Sequence, residues 1–325
     1  PRLRSYSVPE AGAWRGMMST GARFQLQWEE QGEHHHHHLP STAFYKRIVM
    51  SDLAHARDKL TKAPHKLIRD VKSYEVETAF LTSRACQEGL IGEAGLRISQ
   101  VYSADLRPVA PDLGPKEQLE SCFSVLLKDF NPDDGWEQQW LLNEAATKAT
   151  LANLAKMHAY FWKGSNFWKK DGGTLGDELK EAVWSNGGYM QPSLQGLEQF
   201  ELVASGFAAR YPTFQKALED MEQLKGADLA SVGARLEGVA AVVGQKAHPF
   251  YHHTLKGQQD PNLEQYKTLI HGDPKQANIF VRPKQNQPSA SSSAEEESGA
   301  DLLEVALIDF QWTGFGLAAT DIAHH

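Results

Sequence analysis

The run His271-Gly-Asp-Pro-Lys-Gln-Ala-Asn278 places a carboxylate five positions ahead of a carboxamide, and Ile308-Asp-Phe-Gln-Trp312 supplies a second carboxylate further on. Those residue types at that spacing suit phosphoryl transfer. Such chemistry needs a hydroxyl nucleophile to be oriented and magnesium to be held across a triphosphate, with little covalent work left for side chains. Asp273 is expected to accept or orient the substrate proton. Asn278 and Asp309 offer the hard oxygens that Mg²⁺ prefers to share with phosphate. Four specified positions would match by chance about 0.002 times in a chain of this length.

The elements that position these groups can be read from periodicity. Asn278-Ile-Phe-Val281 and Val305-Ala-Leu-Ile308 are short apolar strands expected to form a hairpin. The connector of about 283–301 is rich in Ser, Gln and Glu and reads as a disordered surface insertion. Upstream, Leu151, Leu154, His158, Phe161 and Trp162 share one helix face, and helical patterning continues to about Tyr266, interrupted by a turn at 187–192. Strands are expected at 22–28, with Phe24, Leu26 and Trp28 on one face, and at 44–50, 96–102 and 123–128. A helical stretch from 51 to 86 breaks near Pro64.

This order of motifs and elements resembles the aminoglycoside phosphotransferase and choline kinase superfamily. The Asp-Phe-Gln-Trp wording and the helix Leu154-Ala-Lys-Met-His-Ala-Tyr-Phe-Trp162 are most similar to its CHK-like or ecdysteroid-kinase-like group. The resemblance spans 41–325 and is strongest over 269–323. It implies an α+β, bilobal protein-kinase-like fold. A small strand-rich N-lobe and hinge would occupy 1–130, and a larger helical C-lobe 131–325. It further implies ATP and Mg²⁺ as cofactors and a small-molecule hydroxyl as acceptor. Lys46 matches the lysine that pairs with the α- and β-phosphates, and Glu77 the helix glutamate that holds it. Glu75 is the rival, because carboxylates two positions apart point to different sides of a helix. The strand 125–130, with Leu127 and Asp129, matches the hinge whose backbone bonds adenine. Asp321 matches an aspartate that braces the catalytic loop.

Two departures from the family pattern stand out. Gly12, Gly16 and Gly21 are too loosely spaced for a GxGxxG loop, although the segment could still cover phosphates. Lys275 stands where many small-molecule members carry an apolar or aromatic residue. It resembles the protein-kinase catalytic loop, where a lysine touches the transferred phosphate as a point charge. Two rival readings therefore accompany the first: a nucleotide-binding scaffold without transfer activity, and a protein kinase. No Ala-Pro-Glu element follows Asp309 in this chain.

Composition sets the outer bounds. A chain of 325 residues with 41% hydrophobic and 23% charged residues has the make-up of a globular protein of about two domains. A net charge of -8 argues against nucleic acid as a partner, and the apolar runs are too short to span a membrane. Two cysteines, Cys86 and Cys122, allow no disulfide framework and fit a reducing, cytoplasmic setting. Pro1 and His325 give the ends of what reads as a fragment. The histidines at 34–38 read as a solvated loop, because a flexible tract lacks the fixed geometry of a metal site. His252 and His253 have no Cys or carboxylate at ligand spacing, and the serine-and-acid tract 291–297 reads as a solvated linker. His271 is expected to orient its loop, and His158 to be a satisfied core histidine.

Overall fold

A computed structural model describes residues 2–9, 12–15, 19–29, 39–110, 112–162, 175–189, 197–246, 266–284 and 299–325. Gly16, the histidines at 34–38, His252, His253 and residues 285–298 of the expected insertion lie outside the described residues. In chain order the elements are β1 (Leu3–Ser7), β2 (Ala13–Arg15), β3 (Thr20–Trp28), β4 (Thr42–Val49), α1 (Ala54–Lys62), α2 (Pro64–Thr82), a π-helical segment (Ala85–Glu93), β5 (Arg97–Ile98), β6 (Val101–Arg107) and β7 (Cys122–Lys128). They continue with α3 (Glu144–Tyr160), α4 (Leu175–Ala182), α5 (Leu197–Glu219), α6 (Leu229–Lys246), β8 (Lys267–Ile270), β9 (Ile279–Pro283), β10 (Leu303–Leu307), β11 (Gly314–Leu317) and α7 (Ala318–His324). The chain is mixed α+β, with a strand-rich N-terminal sheet and helices later.

The first sheet is antiparallel in the order β1-β3-β4-β7-β6, and β2 also pairs with β3. Alternation along β4 puts Phe44, Lys46 and Ile48 on one face. Ile48 packs with Leu67, Val71 and Tyr74 of α2 and with Phe123. Pro64 opens α2 at its first position, where a missing N–H costs nothing. From there Leu67, Val71 and Tyr74 recur at helical spacing, and Glu77 follows one turn after Tyr74 on the same side. The stripe that buries α2 against the sheet thus carries a carboxylate to the level of Lys46.

The expected hairpin forms as β9 against β10, with Val305 opposite Val281, and β5 joins β10 in parallel. Val281, Val305 and Leu307 enter a core shared with Leu154, Met157 and Phe161 of the α3 segment. That is the face expected from the spacing of Leu154, His158 and Phe161. Period reading did not find β8 and β11, which pair antiparallel with Gly314 opposite Ile270. Their four-residue lengths and the two glycines of β11 give no alternation to detect.

Two compact units are delimited, one of 1–188 with 267–325 and one of 189–266. Within the second, α5 and α6 meet through Tyr211, whose hydroxyl donates to the Leu229 carbonyl at 2.6 Å. A Cβ at Gly233 would stand 2.0 Å from the Tyr211 ring, so the absence of a side chain there permits the contact. No helix among the described residues is long and apolar enough to cross a membrane.

Candidate functional site

Lys46 and Glu77 meet in the larger unit. Lys46 Nζ donates to Glu77 Oε2 at 2.7 Å and Oε1 at 2.9 Å. Glu75 turns to the surface and accepts from Lys72 at 3.0 Å. The two glutamates therefore separate as their helical offset requires. Asp309 Oδ1 lies 3.7 Å from Lys46 Nζ. Burial alone would depress the Lys46 ammonium, but the Glu77 and Asp309 charges outweigh it and hold its pKa above the usual value.

Asp309 follows β10 with φ of 63°, the one positive φ at a non-glycine among the described residues. Aspartate tolerates the left-handed region better than most side chains. Its Oδ1 is buried without a hydrogen-bond partner. With the Lys46 ammonium 3.7 Å away as its charged neighbour, this oxygen keeps accepting capacity that a metal cation could fill. Asn278 spends its amide nitrogen on Asp273, donating to the carbonyl at 2.8 Å and to Oδ2 at 3.3 Å. The amide oxygen is left as the atom available to a cation. Two hard oxygens at the same end of one hairpin, where Leu307 stands opposite Ile279, fit Mg²⁺, which completes its shell with phosphate and water. No group of three or more His, Cys, Asp or Glu able to hold a metal occurs among the described residues.

Lys46, Glu77, Asn278 and Asp309 line one cavity of about 750 Å³. Phe44, Leu127, Phe130, Trp136 and Phe280 supply its apolar wall. Phe130 meets Trp136 edge-on at 5.0 Å and Phe280 at 5.6 Å between ring centroids. Leu127 lies in register with Phe44 on one side and Val101 on the other, so its strand is flanked on both edges and unpaired backbone begins only after Lys128. Asp129, the first residue past β7, points its carboxylate at Arg23, which reaches it at 2.5 Å through Nε and 3.2 Å through a terminal nitrogen. Both residues line the cavity. Gly12 also reaches it, while Gly21 sits in β3 opposite Lys46.

Asp273 and Lys275 stand beside this cavity and join it through Asn278. Asp273 is 6% exposed, and its Oδ2 accepts from Lys275 Nζ at 2.7 Å. The loop beneath them is shaped by Asp321, which is fully buried. Its Oδ2 accepts from the His271 amide and its Oδ1 from the Gly272 amide, each at 2.8 Å. His158 Nε2 donates to the same Oδ2 at 2.8 Å. His158 is therefore buried, as its helix face requires, and also bonded to the brace; no local pattern could have paired residues 163 positions apart. His271 Nε2 donates to the Ile308 carbonyl at 2.9 Å while Nδ1 accepts from the Asp273 amide at 3.3 Å. Burial holds its pKa below the usual value, so the ring remains a neutral strut.

Gly272 has φ of +87°, and a Cβ there would lie 2.2 Å from the Trp312 carbonyl oxygen. Gly272→Ala is expected to cost roughly 3 kcal/mol, adding left-handed strain to a backbone clash. Thermal melting should register a fall of about 5 °C or more; an unchanged Tm would contradict the geometry.

The arrangement brings a buried ammonium, a carboxylate and a carboxamide oxygen to one cavity, with a second carboxylate at its edge. No family model, curated protein or solved structure matches the chain.

Proposed function

We propose that this chain is an ATP- and Mg²⁺-dependent phosphotransferase acting on a hydroxyl of a small molecule, with a bilobal protein-kinase-like arrangement. The observation that carries the reading is the convergence of Lys46–Glu77, Asp309 and Asn278 on one aromatic-walled cavity with Asp273 next to it. The charged residues match the demands of phosphoryl transfer, and the apolar wall is of a kind that takes a flat base. The sequence resemblance points the same way.

In this reading Lys46, kept charged by Glu77, contacts the α- and β-phosphates. The residues that would hold magnesium are Asn278 and Asp309, and the cation would neutralise charge on the triphosphate. Asp273 orients the acceptor hydroxyl. The acceptor oxygen bonds to the γ-phosphorus as the bond to the bridging oxygen of ADP breaks, and the hydroxyl proton passes to Asp273 or to water.

Asp273 already takes a hydrogen bond from Lys275, so Lys275 is suited to steady that carboxylate and to meet the transferred phosphate. Lys275→Ala should slow turnover more than it weakens ATP binding. Comparing kcat with the MgATP dissociation constant checks this, and equal losses in both would sink it.

The reading as a whole is tested by thermal-shift titration with MgATP and by a phosphate-transfer screen over alcohols, amino-alcohols, sterols and aminoglycosides. A MgATP-dependent shift with a phosphorylated product supports it. A shift without product or hydrolysis indicates a nucleotide-binding scaffold, and no shift rejects the site.

A further inference from the structure

The two oxygens of Asp273 are not equivalent. Oδ2 takes the Lys275 ammonium at 2.7 Å and the Asn278 amide at 3.3 Å. Oδ1 has a different neighbour, His324 Nε2 at 3.3 Å, and no other among the described residues. His324 belongs to α7, which grips the loop at successive points. Asp321 takes the His271 and Gly272 amides, His324 meets the Asp273 carboxylate, and His325 Nδ1 donates to the Pro274 carbonyl at 3.0 Å.

A carboxylate oxygen can accept two hydrogen bonds. Oδ2 is filled, and Oδ1, which meets His324 at ion-pair distance without a hydrogen bond, keeps its accepting capacity. The side chain of His324 is 29% exposed and that of Asp273 8%, so the pair lies at the border between the buried loop and solvent. We propose that His324 is a positioning residue that fixes Oδ1 of Asp273 toward the acceptor hydroxyl. Without it the carboxylate is held from one side alone and is free to rotate toward Lys275. Misplacing a reacting group by a fraction of an ångström lowers the rate of the step while leaving remote binding intact. This inference rests on the phosphotransferase reading.

The test uses the full chain and MgATP, with water standing in for the acceptor hydroxyl, and adds any acceptor that the screen yields. His324→Ala should lower kcat about tenfold with the KM for MgATP within about twofold of wild type. His324→Gln, which returns an N–H donor at similar reach, should recover most of the loss, and His324→Leu should not. Assays run below the melting transition of the least stable variant separate positioning from unfolding. Wild-type kcat in His324→Ala, or Gln no better than Leu, overturns the proposal. Wild-type turnover together with an indifferent His324→Ala removes only this inference. A wild type that neither binds nor turns over MgATP removes the phosphotransferase reading and this inference with it.

Discussion

Asp273→Asn is expected to lower turnover by about 10² to 10⁴, the usual worth of a positioned acid-base group, while MgATP affinity changes little. The substitution is nearly isosteric. It keeps one oxygen for Lys275 or Asn278 but removes the negative charge that, in the proposed function, would orient the hydroxyl. Asp273 stands beside the cavity rather than in its wall, so nucleotide contacts should survive. Steady-state rates and MgATP titrations on the same preparation decide the matter. Full activity in the variant would refute the assignment, and a matching loss of MgATP affinity would place Asp273 among the nucleotide ligands.

Asp309→Asn is the second large effect, at roughly 10² to 10⁴ in turnover, because a divalent cation supplies several kcal/mol of charge stabilisation in this chemistry. Asparagine tolerates the left-handed backbone at this position, where φ is 63°, so the fold should hold. Under the proposed function it would replace a charged ligand by a neutral one at the oxygen that lacks a hydrogen-bond partner. The loss should therefore shrink as Mg²⁺ is raised. Rates measured across a Mg²⁺ series test this, and a variant with the wild-type Mg²⁺ dependence would remove Asp309 from the metal site. Lys46 and Glu77 keep their own bonds in this variant, so the two parts of the site can be told apart.

What could be read from the chain beforehand follows the range of each interaction. Asp273 and Asn278 are five positions apart on one loop, and the apolar strands beside them are short but continuous, so motif and context were both local. Lys46 and Glu77, 31 positions apart, were paired by resemblance, and helical geometry then separated Glu77 from Glu75. The helix break followed from Pro64. The Arg23–Asp129 bond was hidden because the two residues are 106 positions apart and because the resemblance assigns the Asp129 strand a backbone role. β1 escaped notice because all five of its residues are exposed and leave no buried face to produce a pattern. The role of His324 depends on α7 lying against the loop, which no periodicity encodes.

The brace at Asp321 also bears on the order of assembly. His158 must meet a partner 163 positions later, and the loop amides of His271 and Gly272 wait for a carboxylate about 50 positions downstream. Closing such separations is slow compared with winding α2 or turning a hairpin. A nascent chain that has emerged as far as β10 already carries Lys46, Glu77, Asp273 and Asn278, but the carboxylate that bends the loop is still to come. The N-terminal sheet can therefore mature ahead of the loop during synthesis. The shape of the loop at His271 and Gly272 thus depends on a carboxylate made after it.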